Sequence, residues 1–446
     1  MAEFKRPANE IEFQNNFEQI KPLMNDTEAH YESARCLFCY DAPCVKACPT
    51  GIDIPLFIRQ IYTHNLSGSA KTIYQSNYFG MACGLVCPTE VLCEGACVMN
   101  HQNIKPIEIG RLQAFAAHSA IQNNERLTPL AKSNGKKVAV IGAGPAGISC
   151  ACELRKLGFT VDIFEAKDKP SGLTVYGVAP YKITDEAALN EMAFLEKNFR
   201  FRIHYHSAVN GEEDLKRLEG EFDAIFLGIG LGATAEIKIL GEELENCLGA
   251  VEFIEALRTR QHRARVGKNV VILGGGNTAM DAASESARMG AEKVTLCYRR
   301  GKEEMRAYEF EFDLAKSVGV QAIFNAAPAE IIGNGRVEAI RLARTENEDG
   351  KLRAVPGSEF TLPCDMVIKA TGQEKMTEFL SRAAHLALNK NGSIRVNPET
   401  GQTSRPNYFA GGDAANGGRE VVNAAAEGKA AARGIQNYLL GAAGKM

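Results

Sequence analysis

Eight cysteines within the first hundred residues constrain the fold of this chain more than any other feature. The first run has the pattern C-x2-C-x4-C-x3-C-P and the second is CGLVCPTEVLCEGAC, so that the positions are Cys36, Cys39, Cys44 and Cys48, then Cys83, Cys87, Cys93 and Cys97. The first pattern is close to a bacterial iron–sulfur run, in which the cysteine before proline ligates the other cluster of a pair. The spacing therefore predicts two [4Fe–4S] clusters with ligands exchanged between the runs.

Two other uses of these cysteines have to be weighed. Structural zinc also takes four cysteines, but zinc pairs are usually arranged as two separated C-x2-C knuckles. Disulfides are disfavoured because the start of the chain, MAEFKRPANEIEFQNN, is polar and has no apolar segment of the signal-peptide kind. We expect a cytoplasmic chain, whose thiols stay reduced. The other cysteines lack ligand spacing and are predicted to be small buried apolar residues: Cys150, Cys152, Cys247, Cys297 and Cys364.

The composition is that of a globular protein and argues against two classes of partner. The chain has 446 residues, of which 45% are hydrophobic and 24% charged, and this length predicts two or three domains. No apolar stretch approaches the roughly 20 residues that a membrane span requires. A net charge of −3 provides no basic field for nucleic acid or for an anionic membrane. We therefore expect neither nucleic acid nor a membrane as partner.

The part of the chain that holds the two cysteine runs is predicted to be helical. PLFIRQIYTHNLSGSAKTIYQSN repeats apolar residues at helical spacing, with Leu56, Ile58 and Ile61 on one side, and IEIGRLQAFAAHSAIQ predicts a further helix. LTPLAKSNGKK contains proline, serine, glycine and lysine and predicts a linker before a strong strand.

The segment KKVAVIGAGPAGISCACELRKLGFTVDIFEA predicts a strand (Val138 to Ile141), a glycine-rich loop, a helix and a second strand. Within the loop, Gly142 permits a tight turn, Gly144 lets a pyrophosphate approach the backbone, and Gly147 lets helix and strand pack closely. The helix N-terminus offers free N–H groups to the phosphates. Glu165 ends the second strand, where it can accept a hydrogen bond from a ribose hydroxyl. This unit predicts a dinucleotide site, which we assign to FAD.

The segment KNVVILGGGNTAMDAASESARMGAEKVTLCYRR repeats this arrangement with a G-x-G-x-x-A loop. Its second strand ends in arginines rather than in an acid, and arginines accommodate the 2′-phosphate of NADP, whereas a carboxylate would bind the 2′-hydroxyl of NAD. The unit therefore predicts an NADP(H) site, and the alternative is a solvated basic turn. The residues assigned to this site are Gly274, Gly276, Asn277, Thr278, Arg299, Arg300 and Arg306.

Residues 408–430, YFAGGDAANGGREVVNAAAEGKA, are predicted to complete the flavin site. A strand runs into Gly412 and Asp413, whose carboxylate can hold a flavin polyol hydroxyl. A helix that begins near Val421 can stabilise negative charge on the reduced ring. Gly172 is assigned to the same site, and IFLGIGLG (225–232) and VIKATGQ (367–373) predict crossovers between two nucleotide-binding domains.

The predicted fold class is α/β. A helical iron–sulfur domain (1–130) precedes two Rossmann-like, doubly wound nucleotide-binding domains, and the nicotinamide domain is inserted into the flavin domain. The predicted boundaries are 131–232 and 367–446 for the two parts of the FAD domain and 233–366 for the NADP(H) domain.

These sites together predict electron transfer. A nicotinamide delivers two electrons as hydride, an iron–sulfur cluster accepts one at a time, and a flavin can do both. The sequence has no nucleophile elbow, HExxH motif or paired carboxylates, so we assign no catalytic acid or base. The contrasting interpretation is a regulatory or structural protein that keeps degenerate nucleotide sites and zinc.

Several segments together resemble the amino-terminal half of dihydropyrimidine dehydrogenase: SARCLFCYDAPCVKACP, VCPTEVLCEGAC, PIEIGRLQAF, VAVIGAGPAGISC, GGGNTAMDAA and FAGGD. The resemblance covers essentially the whole chain and is strongest to the separate flavin and iron–sulfur small subunit of the bacterial enzymes. The chain is also similar to the glutamate synthase small subunit, which has the same FAD–nicotinamide architecture. PIEIGRLQ and the spacing of the second cysteine run favour the pyrimidine family.

The resemblance implies electron flow between NADP(H), FAD and two clusters, and onward to a partner in a hetero-oligomer. That partner would be a pyrimidine-reducing subunit, with FMN and further iron–sulfur clusters, that acts on uracil or thymine. The alternative is a glutamate synthase small subunit, which hands electrons to a glutamine-hydrolysing partner. The resemblance also implies one cluster on Cys36, Cys39, Cys44 and Cys97, and another on Cys48, Cys87, Cys93 and Gln113.

Two points of this resemblance stay open. Counting cysteines alone would make Cys83 a ligand in place of Gln113, because eight cysteines suffice for two clusters. The three arginines match the NADP-dependent members of the family, whereas some bacterial small subunits use NAD and carry an acid at that place.

Overall fold

The structure is a computed structural model that describes residues 4–348 and 351–441, so the predicted outer domain limits at residues 1 and 446 lie outside the described residues. Its α-helices are α1 Glu10–Asn16, α2 Asp26–Ala34, α3 Pro43–Ala47, α4 Ile54–Tyr62, α5 Leu66–Ser76, α6 Gly80–Val86, α7 Ile109–Gln122, α8 Pro145–Lys156, α9 Leu173–Tyr176, α10 Asp185–Phe199, α11 Glu212–Glu221, α12 Ala250–Arg260, α13 Asn277–Arg288, α14 Glu309–Ser317, α15 Asp413–Asn416 and α16 Val421–Leu440.

The strands lie almost entirely after the helical region. They are β1 Lys137–Ile141, β2 Thr160–Phe164, β3 Arg202–His204, β4 Ala224–Leu227, β5 Cys247–Gly249, β6 Asn269–Leu273, β7 Lys293–Tyr298, β8 Gln321–Phe324, β9 Ala326–Gly333, β10 Val337–Glu348, β11 Lys351–Ala354, β12 Phe360–Pro363, β13 Met366–Lys369 and β14 Tyr408–Ala410.

The chain divides into two compact units. The nicotinamide unit contains residues 4–19, 176–181 and 232–374, and the cluster–flavin unit contains residues 20–175, 182–231 and 375–441. The first of these is inserted into the second along the chain, as the fold class predicted. The exact domain limits that we read from the sequence remain a prediction.

The cluster–flavin unit is built on a parallel sheet of five strands in the order β14-β4-β1-β2-β3. Its central strands are short apolar runs such as KVAVI and AIFL, whose buried residues match the pattern expected of a parallel sheet covered on both faces. The order reverses after β1, because β2 and β4 lie on opposite sides of it. Ligands of open α/β sheets bind at such a switch point.

The nicotinamide unit has a second parallel sheet, in the order β5-β13-β6-β7-β8. An antiparallel sheet of β9, β10, β11 and β12 lies between β8 and β13 along the chain, and this sheet was not predicted from the sequence. Both crossover segments contain the expected strands, β4 and β13, and β13 pairs with β6.

The region with the two cysteine runs is helical, as predicted, but one detail of its packing differs. Helix α4 buries Ile54, Phe57, Ile58 and Ile61, whereas Leu56 is 41% exposed. The prediction that Leu56 shares a face with Ile58 and Ile61 is therefore wrong. At 3.6 residues per turn, Leu56 lies about 200° around the helix from Ile58, and it faces away from the core.

Of the five cysteines predicted to be small buried residues, Cys150, Cys152, Cys297 and Cys364 are buried. Cys247 is half-buried, because it begins the short edge strand β5. Among the described residues, no helix has the length and apolar character needed to cross a membrane.

Candidate functional site

Four of the eight amino-terminal cysteines face one small cavity in the cluster–flavin unit. Cys36, Cys39, Cys44 and Cys97 line it together with apolar side chains, among them that of Ile58. The pKa of the Cys44 thiol is raised to about 12, chiefly by burial and in part by the nearby thiols of Cys36, Cys97 and Cys39. This set joins three cysteines of the first run to the last cysteine of the second run.

Three further cysteines lie near one another. Burial raises the pKa of the Cys93 thiol, and the nearby Cys48 thiol adds to this increase. The Cys48 thiol also raises the pKa of the Cys87 thiol. The Sγ atom of Cys48 lies 3.3 Å from the Thr50 hydroxyl. The cysteine before proline therefore lies with two members of the second run, which is the exchange that the first sequence pattern indicates.

The structure places both candidates for the remaining ligand on packed helices. Cys83, on α6, forms a side-chain hydrogen bond with Cys87 one turn later, and this is the largest cause of the raised pKa of the Cys87 thiol. Gln113 is buried on α7, and its Nε2 donates to the Gly80 carbonyl at the start of α6 over 2.7 Å. Helices α6 and α7 approach closely, since a Cβ at Gly84 would lie 2.7 Å from the Ala114 nitrogen. The choice between the two ligands stays a prediction.

The thiols of the first set line a cavity and do not converge on one point. Within residues 4–348 and 351–441, no three His, Cys, Asp or Glu side chains converge closely enough to hold one metal ion. A [4Fe–4S] cluster takes one thiolate on each of four separate iron atoms, so its ligands surround a space. The four thiols around the first cavity have this form.

The loop between β1 and α8 forms a cradle for a dinucleotide in the cluster–flavin unit. Gly142 has a φ of 96°, and a Cβ at Gly147 would lie 1.9 Å from the Gly142 carbonyl oxygen. A Cβ at Gly144 would meet nothing nearer than 3.9 Å, so the backbone there is open to a phosphate. Helix α8 begins at Pro145, directly after this opening, and directs its free N–H groups toward it.

Glu165 follows β2 and is buried beside this loop. Its Oε2 accepts a hydrogen bond from the Ala143 nitrogen at 2.7 Å, and its Oε1 accepts one from the Lys167 nitrogen at 2.8 Å. Each carboxylate oxygen has two acceptor positions, so both can still accept a ribose hydroxyl. The two backbone bonds fix the carboxylate at the place the fingerprint predicts.

The segment that follows β2 contains one residue that sequence reasoning missed. Ser171 has a φ of 82°, is fully buried, and its hydroxyl has no hydrogen-bond partner among the described residues. A Cβ at the neighbouring Gly172 would lie 3.0 Å from the Gly144 Cα, so this turn lies against the phosphate loop. A buried hydroxyl without a partner fits a ligand that supplies one. The positive φ at a serine could not be read from the sequence.

The second missed residue is Glu427, on α16. Its Oε2 accepts a hydrogen bond from the Gly412 nitrogen at 2.7 Å, and its carboxylate also binds the Asn416 side chain. Asp413 follows β14 as predicted, its Oδ1 accepts from the Arg419 nitrogen at 3.1 Å, and burial raises the pKa of its carboxyl group. Glu427 thus holds the turn that presents Asp413.

In the nicotinamide unit, the loop between β6 and α13 has the same form. The Gly274 nitrogen donates to the Cys297 carbonyl at 3.0 Å, and a Cβ at Gly276 would meet nothing within 4 Å. Helix α13 begins at Asn277, whose Oδ1 accepts from the Tyr308 nitrogen at 3.0 Å, and Thr278 is exposed in its first turn. The open glycine and the helix N-terminus fit a coenzyme pyrophosphate.

The three arginines follow β7, and the chain then returns to this glycine loop. The backbone nitrogen of Arg306 donates to the Gly275 carbonyl at 3.0 Å, and Arg306 is exposed. Arg299 is also exposed, and Arg300 is half-buried with its Nε 3.9 Å from a Glu304 carboxylate oxygen. The structure therefore brings Arg306 to the rim of the coenzyme loop.

Two known families match the chain. Residues 136–428 match the family described as pyridine nucleotide-disulphide oxidoreductase. Residues 13–125 match the family described as dihydropyrimidine dehydrogenase domain II, 4Fe-4S cluster.

Relatives of both anticipated kinds are found at the same distance. The NAD-dependent dihydropyrimidine dehydrogenase subunit PreT of Escherichia coli is 34% identical over 431 residues, covering 96% of this chain and 98% of that protein. The glutamate synthase [NADPH] small chain of Escherichia coli is 33% identical over 448 residues, covering 95% of this chain and 94% of that protein.

Solved structures support the fold. FprA of Mycobacterium tuberculosis, in complex with NADPH, superposes with a TM-score of 0.57 at 20% identity, covering 69% of this chain and 85% of that one. Lactococcus lactis thioredoxin reductase gives a TM-score of 0.53 at 20% identity, covering 68% of this chain and 99% of that one.

Proposed function

The chain belongs to the pyridine nucleotide-disulphide oxidoreductase family, and from this premise we propose that it is the electron-input subunit of a dihydropyrimidine dehydrogenase. In this proposal it oxidises or reduces NADP(H) at FAD and passes single electrons through two [4Fe–4S] clusters. The electrons reach a partner subunit that reduces uracil or thymine and carries FMN and further clusters.

One observation carries the proposal. Four cysteines from two distant runs surround one cavity, in the same compact unit as the glycine loop and Glu165. A flavin exchanges hydride with nicotinamide and single electrons with clusters when all three are bound. A unit that holds a flavin cradle and a thiol cavity fits this conversion, and the match to a family described by its 4Fe-4S cluster supports it.

The chain's own residues have binding and orienting roles in this proposal. Glu165 and the backbone around Gly144 would hold the ribose and pyrophosphate of FAD, and the Ser171 hydroxyl is available to the same ligand. Asp413 would bind a flavin hydroxyl from the turn that Glu427 fixes. No residue of the chain is given a proton-transfer role.

The proposed coenzyme is NADP(H) rather than NAD(H). Three arginines follow β7, and Arg306 lies at the rim of the coenzyme loop, where arginine can recognise the 2′-phosphate. PreT is described as NAD-dependent, so this chain would differ from that relative in coenzyme.

The glutamate synthase small subunit is the second candidate function. The relative described by that name is 33% identical over 95% of this chain, and its description includes NADPH, the coenzyme that we propose here. In that case the partner would be a glutamine-hydrolysing chain. We place either reaction in the cytoplasm, because cluster-binding thiols have to stay reduced.

Co-purification followed by two assays tests the proposal. The chain would be produced with the proteins encoded beside its gene, and the purified complex assayed for NADPH oxidation driven by uracil and by glutamine with 2-oxoglutarate. Uracil-dependent oxidation supports the first function, and glutamine-dependent oxidation replaces it with the second. A protein that contains zinc and shows neither flavin nor iron–sulfur absorption would instead be a regulatory or structural relative.

A further inference from the structure

A basic cleft lies beside one of the predicted cluster ligands in the cluster–flavin unit. It encloses about 360 Å³. One wall is formed by Thr50 and Ser76 of the cysteine-bearing region, and the other by Lys156, Lys429 and Arg433. Lys429 and Arg433 lie one turn apart on α16, and Lys156 ends α8. No role described above uses this cleft.

The cleft carries more positive than negative charge. Arg433 and Lys156 share one carboxylate, that of Glu153, at 3.3 and 3.9 Å. Glu153 is 3% exposed and also accepts the Tyr78 hydroxyl at 2.5 Å, so its charge is turned inward. Three cations therefore face the cleft against one buried anion.

Among the described residues, Lys429 has no carboxylate partner of its own in the cleft. Its Nζ donates to the Ser76 and Gln75 carbonyls at the end of α5, which are neutral acceptors. The pKa of the Lys429 ammonium is lowered to about 8, chiefly by burial; Glu153 opposes this shift, and Arg433 and Lys156 add to it. An anion in the cleft would offset this crowding of positive charge.

The position of the cleft relates it to electron transfer. The Thr50 hydroxyl lies 3.3 Å from the Sγ atom of Cys48, so one residue separates the cleft from a predicted cluster ligand. A protein that binds in the cleft would therefore lie beside this cluster, where a one-electron acceptor has to be.

We propose that the cleft receives an acidic side chain, Asp or Glu, of the protein that accepts electrons from this chain. The proposal rests on the proposed function, because it requires an electron-accepting protein partner. Its basis is charge complementarity: a cationic cleft with the exposed Arg433 beside two half-buried lysines attracts an acidic surface, speeds association and fixes the orientation of the complex.

A peptide-binding experiment with the holoprotein tests this without turnover. The probe is a fluorescein-labelled peptide of six glutamates, compared with a peptide of six glutamines, and anisotropy is measured at low and at 0.5 M salt. We expect the glutamate peptide to bind at low salt and to be released by high salt, since exposed charge pairs are screened. Equal binding of the two peptides overturns the proposal.

Variants locate the binding. Lys429→Gln with Arg433→Gln should weaken peptide binding about tenfold or more, since each charge-assisted bond contributes on this scale. The matched control, Arg382→Gln with Lys390→Gln, removes the same charge from exposed positions elsewhere in the unit and should leave binding unchanged. Lys429 also donates to carbonyls at the end of α5, so its replacement could disturb that helix. The single variant Arg433→Gln, at a side chain 62% exposed, repeats the test and leaves the Lys429 contacts intact. Equal losses in cleft and control variants overturn the proposal.

Two further outcomes are distinguishable. If inorganic phosphate binds the wild-type cleft and the glutamate peptide does not, the cleft takes a free anion and the docking proposal is overturned. NADPH-driven bleaching of flavin and cluster absorption, measured on the same preparations, reports on the proposed function separately. Normal bleaching without peptide binding refutes the docking proposal alone. Absent bleaching refutes the proposed function and, with it, the electron-accepting partner, even where the peptide binds.

Discussion

Three arginines set the coenzyme preference that we expect. Replacing Arg299 or Arg306 with alanine should lower kcat/KM for NADPH by roughly tenfold or more, because a charge-assisted hydrogen bond contributes about 1.5–3 kcal/mol. The rate with NADH should change little, since NADH has no 2′-phosphate. The measurement is the rate of flavin reduction with each coenzyme.

A control separates recognition from a general loss of positive charge. Arg341 lies on β10 of the same unit and pairs with Glu330, so Arg341→Ala removes a charge away from the coenzyme loop. It should affect neither coenzyme. Equal wild-type rates with NADH and NADPH would contradict the NADP(H) assignment.

The second residue-scale prediction concerns the last ligand of the second cluster. We expect Cys83→Ser to leave both clusters in place and Gln113→Ala to disturb one of them. The structure gives a physical reason for testing both residues. The Cys83 thiol forms a hydrogen bond with the Cys87 thiol. The Gln113 amide nitrogen already donates to the Gly80 carbonyl, which leaves the amide oxygen as the atom available to iron. Iron content and the electron paramagnetic resonance spectrum of the reduced protein decide, and cluster loss in the serine variant alone would reverse the assignment.

At the scale of elements, one buried carboxylate anchors the helix that carries Cys83. Glu191, on α10, is fully buried, accepts the Met81 and Ala82 nitrogens at 2.6 and 3.0 Å, and accepts the Tyr74 hydroxyl at 3.0 Å. These bonds satisfy free N–H groups in the first turn of α6. These hydrogen bonds lower the pKa of the Glu191 carboxyl group, but the effect of burial is larger and raises it to about 7.

This shift predicts a pH dependence of stability. A carboxyl group whose pKa is raised on folding holds its proton longer in the folded state, so its contribution to stability falls as pH rises from about 4.5 to about 7. Wild-type protein should therefore lose melting temperature between pH 5.5 and 8 relative to Glu191→Gln, which does not titrate. Glu196→Gln, exposed on the same helix, should keep the wild-type profile, and parallel profiles for all three proteins would contradict the prediction.

The elements themselves divide into two groups by how well the sequence predicted them. The first strand was expected from Val138 to Ile141 and spans Lys137–Ile141, because strands of a covered parallel sheet are continuous apolar runs between glycine-rich loops. The antiparallel sheet of β9–β12 was not predicted. Its strands have mixed burial, as in β10, and their pairing depends on partners distant in the chain.

At the scale of the whole molecule, the number of clusters is the main quantity to establish. Two [4Fe–4S] clusters predict about eight iron and eight sulfide atoms per chain after anaerobic purification. Cys36→Ser should leave about half of the iron, because Cys36 lines the first cavity and belongs to one ligand set of the prediction. Cys150→Ser, a matched change at a buried cysteine far from both sets in sequence, should leave the iron content unchanged, and a wild-type chain that holds zinc alone would contradict the prediction.

The sequence by itself determined the features that depend on neighbouring residues. Gly142, Gly144 and Gly147 allow one loop conformation, and the fold places a strand before them and a helix after them, as expected. The cysteine spacing likewise predicted cluster chemistry, because each run is a local ligand pattern. Family resemblance then proposed which cysteines belong together.

Only the tertiary structure decided which distant residues meet. It brought Cys97 to the cavity of Cys36, placed the unpartnered Ser171 hydroxyl in a turn against the phosphate loop, and fixed the Gly412 turn through Glu427. None of these contacts has a local signature, since each depends on backbone conformation or packing between segments far apart in the chain. The pairing of Glu191 with the first turn of α6 has the same origin, because the burial that shifts its pKa exists only after α10 packs on that helix.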